Sequence, residues 1–98
     1  MDEKKQDEIR GDLNYLRDDI DDINDKMLEL LERRLEVSLA IGRDKEKLGL
    51  PVLDRSREEE ILNRFAGRSI YPDLAREFFE KLFALSRELQ ERERQKNR

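Results

Sequence analysis

An apolar stripe at helical spacing runs through the first half of the chain, and two cations interrupt it. Its members recur every three or four residues, so they share one face of a helix. Arg34 and Lys45 stand where apolar residues are expected, about three turns or roughly 16 Å apart along the axis. A buried cation costs several kcal/mol unless an anion meets it, so internal carboxylates or an anionic ligand must neutralise this pair. The stripe comprises Ile9, Leu13, Leu16, Ile20, Ile23, Met27, Leu30, Arg34, Val37, Ile41, Lys45 and Leu48.

The length and composition narrow the possible functions. Because the chain has 98 residues, we expect it to form a single domain, residues 1–98. The chain contains neither Cys nor His, which removes thiol and imidazole catalysis, the usual zinc sites and disulfides, so we expect no metal and no cofactor. The net charge of −4 argues against nucleic-acid binding. The sequence shows neither a signal peptide nor an apolar segment long enough to span a membrane, so we expect a cytoplasmic protein.

The periodicity and the 47% content of charged residues are typical of an all-α protein with solvated outer faces. The end of the first helix is well marked. Gly49 suits the left-handed position after a helix, Leu50 suits the accompanying apolar contact, and Pro51 prevents continuation. The pattern predicts three helices, at about residues 5–47, 55–66 and 72–93.

Capping signals predict where the second and third helices begin. Either Asp54 or Ser56 can cap the second helix, and Ser56 followed by Glu59 reads as a capping box. Gly67 is expected to end this helix, and Pro72 suits the first turn of the third. The apolar stripe of the third helix is Leu74, Phe78, Leu82, Leu85 and Leu89, widened by Phe79 and Phe83.

The length of the first helix predicts an oligomer. A helix of about 42 residues is roughly 63 Å long, whereas a compact domain of this size has a radius of gyration near 12–13 Å by the usual scaling. Two shorter helices cannot cover the whole stripe, so a second protomer is expected to cover the remainder. We therefore expect an intertwined homodimeric helical bundle built from three-helix protomers.

Several polar residues fall on inward-facing positions. Arg34 and Lys45 lie on the first stripe, Glu58 precedes the apolar row of the second helix, and Ser86 and Gln90 follow the apolar row of the third. Each has an ordinary structural explanation when it is taken alone, such as an ion pair or a helix-end charge. Together they offer cations and hydrogen-bond donors without a good nucleophile. This set suits the binding of a compact dicarboxylate.

Three segments carry a resemblance to a known family, the all-helical chorismate mutases. It extends from about Ile9 to Gln90. The resemblance implies a three-helix protomer in an intertwined homodimer. It also implies cofactor-free conversion of chorismate to prephenate, a step of phenylalanine and tyrosine biosynthesis. The segments are LRDDIDDINDKMLELLERR, IGRDKEKLGLPVLDRSREEEIL and FFEKLFALSRELQ.

The resemblance also implies catalytic roles for particular residues. Arg17 matches an arginine that reaches into the partner protomer's site, and Arg34 matches one within its own protomer's site; both would hold substrate carboxylates. Lys45 matches a lysine that contacts a carboxylate and the ether oxygen of the breaking bond. Gln90 matches the second donor to that oxygen. The catalytic set implied is Lys45, Gln90 and Arg34.

Four further positions match substrate-binding residues of the same family. Asp54 and Glu58 match the positions that hold the ring hydroxyl of the substrate. Arg57 and Ser86 match positions near its ring carboxylate. Every matched position carries the expected residue type.

Two alternatives stay open on the sequence. A relative of this fold, isochorismate pyruvate lyase, eliminates pyruvate from isochorismate by a similar pericyclic route, and the same cations would serve it. A helical dimerisation module without activity would also explain the apolar stripe. It would leave the match of residues such as Arg34, Lys45 and Gln90 to coincidence.

Overall fold

The computed structural model describes residues 2–98, and its regular elements are all helical. The all-α, three-helix prediction is therefore confirmed, with ends that differ from the expected ones by a few residues. A short 3₁₀ helix that includes Gly67 follows the second α-helix directly. The elements are α1 (Glu3–Lys47), α2 (Arg55–Phe65), the 3₁₀ helix (Ala66–Arg68) and α3 (Pro72–Lys96).

The described chain falls into two units, of which the first ends at Arg34. This unit is helical from Glu3 onward, and every side chain from residue 2 to 30 is exposed in the single chain. Its apolar stripe, from Ile9 at 44% to Leu30 at 61% exposed, has no cover within the unit. Exposed apolar surface of this extent is typical of a face that packs against another surface.

The second unit, Leu35–Arg98, contains the apolar core. The ring of Phe79 lies 6.1 Å from that of Phe65 and 6.2 Å from that of Phe83, centroid to centroid. The contact between Phe65 and Phe79 joins α2 to α3, whereas Phe79 and Phe83 both lie on α3. The buried apolar residues of the unit are Leu62, Ala66, Leu82 and Phe83.

The single chain buries only part of the apolar stripe of α3. Leu82 is buried as expected, but Leu74, Phe78 and Leu85 are more than half exposed. The protomer buries only one side of this wide apolar surface. Toward the end of α3, the buried positions on that side are the polar residues Ser86 and Gln90. Leu74, Phe78 and Leu85 belong to the predicted apolar stripe, and the single chain leaves them uncovered.

The end of α1 has the predicted geometry. Gly49 has a φ of +70°, a region that glycine enters at little cost. The Gly49 N–H donates to the Glu46 carbonyl at 3.0 Å, and the Leu50 N–H donates to the Lys45 carbonyl at 2.8 Å. These two bonds form a Schellman motif, which ends the helix and fixes the direction of the following loop.

Of the two capping residues proposed for α2, the structure selects Asp54. Its Oδ1 accepts a hydrogen bond from the Arg57 N–H at 3.0 Å. The Ser56 capping box is wrong, because α2 already begins at Arg55 and Ser56 lies within its first turn. Pro72 is the first residue of α3, as predicted.

Candidate functional site

Gln90 lies where α3 meets the last part of α1. Its side chain is buried, with 6% of the residue exposed. The amide nitrogen donates to the carbonyl oxygen of Ser38 at 2.7 Å and to the Ser38 hydroxyl at 3.0 Å. Ser38 is itself buried. The two bonds hold the side-chain amide against a single residue of α1.

Gly42 makes this close approach possible. A Cβ atom built on Gly42 would lie 2.8 Å from Cγ and 3.1 Å from Cδ of Gln90, closer than carbon atoms can pack. Gly42 also lies one turn after Ser38, where a side chain would cover the Ser38 carbonyl. The missing side chain therefore gives the Gln90 amide access to that carbonyl.

Lys45 is half-buried on the same side of α1. Its ammonium donates to the backbone carbonyl of Val52 at 2.9 Å, across the loop that follows the helix. The same loop is held from α3, because Arg94 Nη2 donates to the Leu50 carbonyl at 2.6 Å. The lysine ammonium is thus restrained by a loop that Arg94 of α3 also holds.

Lys45 and Gln90 lie on neighbouring parts of one surface. Lys45 follows Gly42 by three residues and Ser38 by seven, so all three share a face of α1. Gly42 and Ser38 are the residues that contact Gln90. One further turn of about 5 Å along the axis separates this contact from Lys45. The structure therefore brings the two predicted ether-oxygen donors to the same end of the second unit.

Glu58 faces α3 from the first turns of α2. Its Oε2 accepts a hydrogen bond from Arg87 Nη1, and both side chains are half-buried. This pair lies on an open cavity of about 510 Å³ beside α2 and α3, whose lining includes both charged and apolar residues. The cavity is lined by Leu53, Arg55, Glu58, Glu59, Leu62, Glu80, Phe83 and Arg87.

The other predicted residues of the second unit differ in exposure. Ser86 is buried one turn before Gln90 on α3. Asp54 is exposed, and its carboxylate caps α2. Arg57 is exposed, and its guanidinium pairs with Glu60 at 3.0 Å along the same helix. Of these two neighbouring residues of α2, Glu58 therefore faces α3, whereas Arg57 faces solvent.

Arg17 and Arg34 belong to the first unit. Both lie on α1; Arg17 is exposed and Arg34 is half-buried. Both remain predictions as substrate ligands, because each was assigned by resemblance.

Sequence reasoning missed three residues that shape this region. Ser38 and Gly42 form the contact for Gln90, and Arg87 is the ion-pair partner of Glu58. The spacing of a serine and a glycine by four residues was the available signal, because two small residues one turn apart favour close helix packing. Arg87 had no such signal, since exposed arginines are common on helices of this composition.

Two further observations concern the described part of the chain. Between residues 2 and 98, no three His, Cys, Asp or Glu side chains are grouped so that they could hold a metal ion. None of the helices in this range combines the length and apolar character that crossing a membrane requires.

Comparisons with known proteins agree with this architecture. The family model for chorismate mutase type II matches residues 16–91. The structure of chorismate mutase (form II) from Thermus thermophilus superposes with a TM-score of 0.79 at 34% identity, covering 82% of this chain and 94% of that one. Because the family model matches most of its length, the chain belongs to the chorismate mutase type II family.

The matches to curated relatives cover only part of each relative. It is 41% identical over 54 residues to a 3-dehydroquinate dehydratase of Pyrobaculum aerophilum; the match covers 55% of the chain and 18% of the relative. It is 36% identical over 55 residues to the intracellular chorismate mutase of Mycobacterium tuberculosis; this match covers 56% of the chain and 52% of the relative. The chain thus spans about half, or less, of these proteins.

The contact at Gly42 gives a stability prediction. Gly42→Ala should lower the free energy of unfolding by up to about 2 kcal/mol, because overpacking of the new methyl group against Gln90 costs about 1–3 kcal/mol and the helix propensity of Ala offsets about 1 kcal/mol of that cost. Ala is otherwise favoured over Gly in a helix by about 1 kcal/mol. Gly11→Ala is the matched control, since nothing lies within 4 Å of a Cβ there, and it should stabilise. Urea unfolding at one protein concentration measures both, and equal stabilisation by the two substitutions would contradict the packing argument.

Proposed function

We propose that this chain is a chorismate mutase that converts chorismate to prephenate in aromatic amino acid biosynthesis. The observation that carries the proposal is that Gln90 binds Ser38 on the face of α1 that also carries Lys45, about two turns further on, in a chain of the chorismate mutase type II family. In this reaction one carbon–oxygen bond breaks while one carbon–carbon bond forms within the same molecule. No proton transfer is needed, so a chain without His and Cys is chemically adequate.

Lys45 supplies the principal donor to the breaking bond. An ammonium group has three N–H donors, and the Val52 carbonyl takes one of them. Two remain for ligand atoms, which matches a carboxylate oxygen together with the ether oxygen. Negative charge gathers on the ether oxygen in the transition state, so this contact strengthens as the reaction proceeds.

Gln90 supplies a neutral donor to the same oxygen. Its amide is buried and held by Ser38 before any ligand arrives. A donor fixed in advance needs no reorganisation during the reaction, which is the main source of its catalytic value.

The remaining predicted residues hold the substrate in its reactive conformation. Arg34 and the partner protomer's copy of Arg17 bind carboxylates through charge-assisted, two-pronged hydrogen bonds. Arg57 requires a change of side-chain rotamer for this purpose, because it now pairs with Glu60. Asp54 and Glu58 hold the ring hydroxyl, and Ser86 lies near the ring carboxylate. Such positioning can contribute about 7–11 kcal/mol to the lowering of an activation barrier.

A homodimer completes the site in this proposal. The stripe from Ile9 to Leu30 is about half exposed along its whole length in the single chain, an unusual extent of apolar surface for a monomer. A second copy of α1 offers a complementary apolar face and brings Arg17 to the site of its partner. The single domain 1–98 and its cytoplasmic location remain predictions from the sequence.

The direct test is an assay of the purified chain with chorismate. Prephenate formation, followed by loss of chorismate absorbance and identified by mass spectrometry, is the expected result. Isochorismate serves as the parallel substrate, and release of pyruvate from it without prephenate from chorismate would favour the lyase. Turnover of neither substrate by the folded dimer would refute the proposed activity.

Removing one cation at a time tests the assigned roles. Lys45→Ala and Arg34→Ala should each reduce kcat/KM at least about a hundredfold, the usual effect of losing a preorganised donor. Lys47→Ala and Arg33→Ala are matched controls, because both residues are exposed on the same helix. Near-normal turnover in either test variant, with circular dichroism showing an intact fold, would count decisively against that role.

Replacing the neutral donor should make the reaction dependent on pH. In the Gln90→Glu variant only the protonated carboxyl can donate to the ether oxygen, and an ionised carboxylate would repel the Ser38 carbonyl. Activity of this variant should fall as the pH rises and the new carboxyl loses its proton, whereas wild-type activity should be flat over that range. A pH–rate profile measures the difference, and identical profiles would exclude the donor role of Gln90.

A further inference from the structure

Ser38 supplies both protein acceptors for the Gln90 amide nitrogen. The carbonyl oxygen lies at 2.7 Å and the hydroxyl oxygen at 3.0 Å. The carbonyl belongs to the backbone of α1 and is therefore fixed. A bond to the carbonyl alone leaves the amide able to rotate about it, and a second acceptor on the same residue removes that freedom.

The number of amide hydrogens decides what this arrangement leaves for a ligand. The nitrogen carries two hydrogens. If each hydrogen were committed to one oxygen of Ser38, none would remain for a substrate. If both oxygens share one hydrogen in a three-centre bond, an arrangement common at helix termini, the second hydrogen stays available and its direction is fixed.

We propose that Ser38 is a positioning residue for Gln90, whose two oxygens share one amide hydrogen and direct the other toward the ether oxygen of the substrate. This inference rests on the proposed function. Ser38 does not touch the substrate in this arrangement. It acts through Gln90, and Gly42 gives the amide the room to reach it.

The test removes the hydroxyl while leaving the carbonyl. Ser38→Ala should lower kcat about fivefold, the usual effect of losing one neutral hydrogen bond, with little change in KM. Ser38→Thr keeps a hydroxyl and should retain most of the rate. Unchanged or increased kcat in Ser38→Ala would overturn the proposal, because it would mean that the hydroxyl competes with the substrate or does nothing.

A double-mutant cycle separates positioning from a purely structural role. In a Gln90→Ala background, Ser38→Ala should have no further effect on kcat, because the group that it orients is absent. A fivefold loss that persists in that background would overturn the proposal. All variants are compared as intact, folded chains.

A measurement without substrate distinguishes failure of this inference from failure of the proposed function. The nitrogen-15 and proton NMR signals of the Gln90 side-chain amide should move in Ser38→Ala and stay near their wild-type positions in Ser38→Thr. Signals that do not move in Ser38→Ala overturn the contact itself. If the signals move in Ser38→Ala but the wild-type protein does not form prephenate, the contact between Ser38 and Gln90 stands. Its catalytic purpose is then overturned together with the proposed function.

Discussion

The close contact between α3 and the last part of α1 is the constraint on which the rest of the site depends. It exists because Gly42 has no side chain and because the Gln90 amide finds two acceptors on Ser38. A buried amide without such partners would be strongly unfavourable. Once this contact is made, Lys45 lies one turn away on the same face, and the loop bond to Val52 restrains its ammonium.

Features governed by local chemistry were predictable from the sequence. Helical periodicity gave the three helices, and glycine's tolerance of positive φ gave the end of α1 at Gly49. The cap at Asp54 was one of two possibilities, and the choice between it and Ser56 depended on where α2 begins. For the site, Lys45 was visible as a cation on an apolar stripe, whereas Gln90 was an ordinary inward amide until the family resemblance implied a chemical role for it.

Features that depend on packing between helices were not predictable in the same way. Periodicity cannot show which part of a wide apolar surface a protomer buries itself, so it did not reveal that Phe78 stays about half exposed in the single chain while Leu82 is buried. The importance of Ser38 and Gly42 appears only when α3 is brought against α1, and the pairing of Arg87 with Glu58 requires the α2–α3 geometry. These contacts are set by long-range packing, on which single-residue propensities carry little information.

We propose that the second protomer completes each active site, because the apolar stripe of α1 is uncovered in the single chain. Mixing the individually inactive variants Arg17→Ala and Lys45→Ala, with exchange of subunits, tests it most directly. If Arg17 acts in its partner's site, each mixed dimer holds one intact site, and the mixture should regain about one quarter of wild-type chorismate mutase activity. A mixture no more active than the separate variants would contradict the account.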